Sequence, residues 1–234
     1  APNLRRLERE LSLAWESGAT PAVVLTKADL CADADGARTA VESVAIGVDV
    51  LLVNALAGEG LPPLLALVAG GLTAVLIGPS GAGKSTLVNA LLGERRQATR
   101  EVRVSDGRGR HTTVARELIP LPGGGLLIDT PGLRGLALTG TEDGIAAAFP
   151  DVEALAVACR FRDCSHQAEP DCAVRAAVAA GELPADRLAS YHKLRREARL
   201  AAAKTDARLR AEDNRQRKIM GRVIKDYHKK QGRD

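Results

Sequence analysis

Aromatic side chains are nearly missing from this sequence: two Phe, two Tyr and one Trp in 234 residues. A platform that binds single-stranded nucleic acid by stacking bases on aromatic rings therefore lacks its raw material. Long apolar runs are missing as well. The longest, Leu64 to Ile77, is broken by Gly70-Gly71 and falls short of the ~18–20 residues needed to cross a membrane. No targeting peptide is visible, because the first residues alternate Arg and Glu with no apolar stretch behind them. The expectation is a soluble, cytoplasmic monomer with no membrane partner. Ala1 stands where a start Met would, already inside a helical pattern, which points to an upstream segment.

What is present suffices for one substantial core and a smaller appended unit, with 45% hydrophobic residues. The net charge of +4 hides an asymmetry. Residues 1–186 carry 17 Lys and Arg against 23 Asp and Glu, whereas residues 187–234 carry 16 against 6. An acidic body with a basic tail suits contact with a polyanion; a solvated, charge-laced helix has the same composition.

Leu4, Leu7, Leu11 and Ala14-Trp15 recur at helical spacing behind Asn3, a capping residue. Four short runs follow: Ala22 to Thr26, Val48 to Val53, Thr73 to Ile77 and Leu126 to Asp129. Each is apolar at successive positions, as strands buried on both faces of a parallel sheet are. Helical stretches near 34–46 and 61–69 separate the first three, the rhythm of a doubly wound α/β sheet. Val114 to Leu121 reads as an additional edge strand that turns at Gly123-Gly124-Gly125. Beyond residue 140 strand-like runs cease and Ala/Arg-rich helices follow from about 173. This predicts a domain at 1–140 and a mainly helical unit at 141–234 with its own core, its polar end disordered.

Gly78-Pro79-Ser80-Gly81-Ala82-Gly83-Lys84-Ser85 fits G-x-x-x-x-G-K-[ST], directly after a strand and before the helical run that opens at Thr86. Backbone amides of such a turn cradle phosphate oxygens at a helix N-terminus. Lys84 would reach the β- and γ-phosphates, and the Ser85 hydroxyl would hold Mg²⁺. Thr26-Lys27-Ala28-Asp29 closes a strand and matches the guanine signature [NT]-K-x-D; an ordinary polar turn has the same letters. A carboxylate at Asp29 accepts from both N1–H and the 2-amino group of guanine, and adenine offers neither. Lys27 would lay its stem along the purine face. Asn54-Ala55-Leu56 resembles the S-A-x loop whose amide meets guanine O6, with Asn54 in place of the usual Ser.

Asp129-Thr130-Pro131-Gly132 fits D-x-x-G, in which the Asp holds Mg²⁺ through water and the Gly amide senses the γ-phosphate. Between it and the phosphate loop, His111-Thr112-Thr113 offers a Thr for Mg²⁺, Thr113 or its neighbour; a polar loop entering a strand is the plain alternative. Together these elements make a GTP site. Their order is permuted, because the two base-reading motifs precede the phosphate loop. Such a rearrangement is tolerated when the original termini lie close together. The segment after D-x-x-G leads straight into the C-terminal unit, where a γ-phosphate-dependent movement could reposition it.

Cys159, Cys164, His166 and Cys172 place three thiols and an imidazole in a short loop. Such a set suits one structural, tetrahedral Zn²⁺, with free thiols or a disulfide as alternatives. Cys31 lies apart and reads as a small buried hydrophobe, and His192 and His228 as solvated.

Taken together, the helix at Leu4, TKADL, GPSGAGKSTLVNAL, GRGRHTT, IDTPG and CRFRDCSHQAEPDCAV resemble the bacterial ribosome-small-subunit-dependent GTPase (RsgA) family. The resemblance implies a late factor in small-subunit assembly that binds near the decoding region, contacts rRNA and hydrolyses GTP to GDP when docked. It implies an N-terminal OB-fold barrel upstream, and it supports the zinc reading and His111 as the residue that orients water. Leu133 follows D-x-x-G where many GTPases carry a water-positioning Gln. That keeps a second function open: a zinc-stabilised rRNA-binding module holding GTP as a structural ligand with negligible hydrolysis. An ATP-dependent enzyme is disfavoured by Asp29.

Overall fold

The computed structural model describes residues 1–93, 117–129 and 141–206, with residues 211 and 215. The chain opens with helix α1 (Leu4–Glu16), capped by Asn3, whose Oδ1 accepts from the Arg6 amide at 3.0 Å. Strand β1 (Ala22–Thr26), helix α2 (Ala34–Glu42), strand β2 (Asp49–Val53) and helix α3 (Leu61–Val68) follow. Strand β3 (Thr73–Val75) is shorter than its apolar run and gives way to the phosphate loop and helix α4 (Lys84–Leu92). Strands β4 (Glu117–Pro120) and β5 (Leu126–Asp129) form a hairpin.

Among the described residues the strands pair as two ladders. β1 and β2 run parallel from Ala22↔Asp49 to Thr26↔Val53. β3 runs parallel to β5, and β4 lies antiparallel on the far edge of β5, the edge position its sequence suggested. Successive side chains of β1 and β2 enter opposite cores: Val23, Leu25 and Val50 one, Val24, Leu51 and Val53 the other. This is the reason both strands are apolar at successive positions, from Ala22 to Leu25 and from Val50 to Val53.

Among the described residues after 140 lie the helices α5 (Glu142–Ala148), α6 (Pro150–Ala156), α7 (Ala173–Ala180) and α8 (Ala185–Thr205). They do not have the separate core expected for a unit starting at 141. Ile145, Phe149, Val152, Val174, Leu188 and Tyr191 belong to the cluster that holds Leu11 of α1, Val23 of β1, Val41 of α2 and Val50 of β2. The physical reason lies in α1 and α2, whose apolar stripes need cover on the face of β1–β2 turned away from α3 and α4.

A buried ionic network fastens the same junction. Arg187 in α8 is 2% exposed and bonds Glu8 of α1 (0% exposed) at 2.9 Å and both carboxylate oxygens of Asp151 in α6 at 2.9 and 3.0 Å. Its guanidinium also donates to the Ala148 carbonyl and lies 4.1 Å from the Phe149 ring centre, while Ser190 donates to Glu8. Arg5 adds a second cation to Glu8 at 2.5 Å, so two carboxylates face two guanidinium groups, the condition under which buried ions are tolerated. No described helix is long and apolar enough to cross a membrane. The polar end of the tail, His228 included, lies outside the described residues.

Candidate nucleotide site and metal centre

Parallel ladders align strand ends, and among the described residues the candidate loops after β1, β2, β3 and β5 leave C-terminal ends. The Thr26↔Val53 pair places Lys27 beside Asn54, so both base-reading loops start side by side. The Val75↔Ile128 pair likewise puts Asp129 level with Leu76, two residues before Gly78. Asp129 thus ends its strand next to the phosphate loop.

The phosphate loop delivers its chain into α4 through Gly83, which adopts a left-handed φ of 82°. A side chain there would be strained, and the turn aims the first amides of α4, those of Lys84, Ser85 and Thr86, at the space above the loop. Lys84 folds across the loop, its Nζ donating to the Gly78 and Pro79 carbonyls at 2.7 and 2.8 Å. Gly78, Ala82 and Ser85 are half-buried, whereas Pro79, Ser80 and Gly81 lie at the surface.

The two halves of the site are bonded to each other. Thr26 Oγ1 donates to the Ala82 carbonyl at 2.6 Å, and Lys27 Nζ donates to the Gly81 carbonyl at 2.8 Å. Lys27 holds a left-handed φ of 57°, an uncommon state for a long side chain and one concentrated at functional turns. Asp29, in the 3₁₀ turn Ala28–Leu30, is exposed and has no hydrogen bond or ion pair among the described residues, so both its oxygens can accept from a base. Asn54 closes its own loop: its Oδ1 accepts from Leu56 and Ala57, and its backbone bridges to Glu59. Ala55 sits half-buried behind that turn.

His111, Thr112, Thr113 and Gly132 lie outside the described residues, and Asp129 is placed by its backbone alone. Cys31 is exposed rather than buried, because the 3₁₀ turn carries it outward at the rim of the base loop.

Cys159, Cys164, His166 and Cys172 converge, with all ligand atoms within 4.8 Å of one another. Cys159 Sγ lies 3.6 Å from His166 Nδ1 and 3.9 Å from Cys172 Sγ, and Cys172 Sγ lies 3.5 Å from His166 Nδ1. Zn–S bonds of about 2.3 Å and Zn–N bonds of about 2.0 Å at tetrahedral angles require edges of about 3.5–3.8 Å, so Cys159, Cys172 and His166 Nδ1 stand at zinc-ligand spacing, with Cys164 within 4.8 Å of them. The cysteines are free, and sulfur atoms 3.9 Å apart are far from the ~2.05 Å of a disulfide.

Burial pushes the Cys164 thiol up to about 11, against a hydrogen bond from the His166 backbone. Burial acts the same way on Cys159, but backbone hydrogen bonds from Val174 and Ala173, at the start of α7, bring that thiol below its ordinary value. Burial, then the charges of His192 and Arg195, lower His166 and favour the neutral imidazole a metal requires. His192 is accordingly half-buried and edge-on to Tyr191 at 5.9 Å, not solvated.

Sequence reasoning missed Glu169. Its carboxylate accepts from the amides of Ser165, Gln167 and Ala168 at 2.8, 3.0 and 3.1 Å and holds the loop between His166 and Cys172. An acidic residue beside Pro170 within the Cys/His run was the available signal.

Comparison with known proteins agrees with this geometry. A family model described as RsgA GTPase matches residues 1–139. The chain is 58% identical over 222 residues to a small ribosomal subunit biogenesis GTPase RsgA of Streptomyces avermitilis, covering 94% of this chain and 60% of that protein. It is 46% identical over 231 residues to the protein of the same name in Syntrophotalea carbinolica, covering 98% and 64%. Among solved structures, YloQ, a circularly permuted GTPase, superposes with a TM-score of 0.63 at 31% identity over 85% of this chain and 63% of that one. YjeQ from Thermotoga maritima gives 0.62 at 26% identity, covering 84% and 66%. The chain thus spans about 60% of the length of the first of these relatives.

Proposed function

The chain belongs to the RsgA GTPase family, and from that premise we propose that it binds GTP with Mg²⁺ and hydrolyses it to GDP and phosphate in the assembly of the small ribosomal subunit. The observation that carries the reading is the pair of bonds from Thr26 and Lys27 to Ala82 and Gly81. They bring a guanine-type loop and a phosphate-type loop into one site whose free carboxylate is Asp29.

In this reading Asp29 accepts from guanine N1–H and the 2-amino group, and the Ala55 amide meets O6. Lys84 leaves the Gly78 and Pro79 carbonyls for the β- and γ-phosphates, and the amides from Gly81 to Thr86 bind phosphate oxygens. Ser85 and Thr113 would hold Mg²⁺, with Asp129 behind a water, and the Gly132 amide would serve the γ-phosphate. His111 orients the attacking water, a task Leu133 cannot perform.

Cys159, Cys164, His166 and Cys172 would hold one structural Zn²⁺ and so close the α6–α7 connection on itself, with His166 against Tyr191 of α8. The basic tail would contact rRNA of the small subunit, so the factor acts in the cytoplasm and as a monomer. An upstream OB-fold belongs to the same proposal. Single-turnover GTP hydrolysis by the full-length protein, with and without saturating small subunits, tests the reading. Slow basal turnover stimulated by orders of magnitude on docking is expected. Turnover unchanged by subunits would favour GTP as a structural ligand.

A further inference from the structure

A threonine hydroxyl carries one hydrogen and therefore one strong donation; a side-chain amide carries two. Thr26 donates its hydrogen to the Ala82 carbonyl at 2.6 Å. The side chain is also packed against the phosphate loop: a methyl group added at Gly83 would lie 3.7 Å from Thr26 Oγ1 and 3.9 Å from its Cβ. The hydroxyl is thus turned to the phosphates' loop rather than to the base.

Guanine offers donors at N1 and the 2-amino group, and acceptors at O6 and N7. With Asp29 on the first pair and Ala55 on O6, N7 needs a donor from elsewhere in the two base loops. Thr26 has none left. Lys27 Nζ is drawn to the Gly81 carbonyl at 2.8 Å, and the Asn54 side chain, whose Nδ2 carries two further hydrogens, is pinned at its own turn by the Leu56 and Ala57 amides donating to Oδ1. An asparagine at position 26 could serve the Ala82 carbonyl and N7 together, and the threonine cannot.

We propose that this pocket reads guanine without a bond to N7, and that Thr26 is a positioning residue joining the base loop to the phosphate loop. The inference rests on the guanine-site reading above. It makes the pocket tolerant of guanine nucleotides altered at N7 while it stays selective at the N1 edge.

The test is equilibrium binding of GDP, 7-deaza-GDP, ADP and inorganic pyrophosphate to the protein and to Thr26→Ser, Thr26→Asn and Thr26→Val. The parent and Thr26→Ser bind GDP and 7-deaza-GDP within twofold of each other. Thr26→Asn adds a donor and prefers GDP over 7-deaza-GDP by about three- to tenfold, the range of one neutral hydrogen bond. Thr26→Val leaves the Ala82 carbonyl unpaired and weakens GDP and pyrophosphate alike, although pyrophosphate has no base. A parent that favours GDP over 7-deaza-GDP more than fivefold, while still rejecting ADP, overturns the inference and leaves the guanine site standing. A Thr26→Asn ratio that stays at one, or pyrophosphate affinity unmoved in Thr26→Val, also contradicts it. A parent that binds ADP as tightly as GDP overturns the guanine site itself, and the inference with it.

Discussion

Gly144 of α5 lies directly against the Ser12 carbonyl of α1, so close that any Cβ at position 144 would collide with it and with Glu16. Thr141 caps the same helix with its side chain, and its amide donates to Glu16 Oε2 at 3.0 Å. The first described helix after Asp129 is thus seated on α1, the helix that precedes β1.

Gly144→Ala should therefore destabilise the whole molecule and not only its C-terminal helices. Forcing α5 off α1 costs about 1–3 kcal/mol, as overpacking does. Thermal unfolding followed by far-UV circular dichroism should show a single transition at lower temperature. A second, separate transition would mean that α5–α8 unfold on their own.

Arg187→Met should cost about 3–5 kcal/mol, because half-buried Asp151 loses its cation and buried Glu8 keeps only Arg5 of its two. Adding Glu8→Gln should recover part of that loss, since an amide needs no counter-charge. Denaturant midpoints of the two single variants and the double variant measure the coupling.

Metal analysis of protein purified without chelator should give one zinc per chain. Removing it should loosen α1 and β2 as well as α7, because Cys164 and Cys172 share a core with Leu11, Val41 and Val50. Hydrogen exchange before and after chelation checks this. Protection unchanged in α1 and β2 would restore the separate core that the sequence suggested.

The Glu169 carboxyl is held well below the usual carboxylate range by hydrogen bonds from the Ser165 side chain and from backbone amides. A depressed folded value stabilises the protein at pH above the unfolded value of about 4.3, and that contribution is lost as pH falls below it. Glu169→Gln should lower the melting temperature at pH 7, and the gap from the parent should shrink progressively below about pH 4.3. A gap that stays constant with pH would mean that the carboxylate charge plays no part.

The candidate nucleotide motifs were legible because their chemistry prescribes residue types at strand ends: a phosphate loop needs glycines and a lysine, and guanine needs a carboxylate. The Cys/His cluster was legible for the same reason, and its four ligand atoms do converge. What joins these pieces was not. Thr26 and Ala82 are 56 residues apart, and a hydroxyl's partner cannot be read from its letter. The shared core was hidden because chain order suggests a boundary at 140, while packing follows the apolar stripe of α1 across it. Cys31 and His192 misled through residue type: a thiol reads as buried and a His among Arg residues as solvated, yet the turn after Asp29 exposes the first and Tyr191 covers part of the second.

The central claim is that a guanine-reading loop precedes the phosphate loop in the chain and serves the same ligand, and Asp29 tests it most directly. Asp29→Asn turns one acceptor into a donor. Equilibrium titration with GTP and XTP, whose base carries a carbonyl at position 2, measures the consequence. The account predicts that GTP affinity falls by orders of magnitude while XTP affinity rises. A variant that binds GTP and XTP as the parent does would contradict the account, because Asp29 would then lie outside the base pocket.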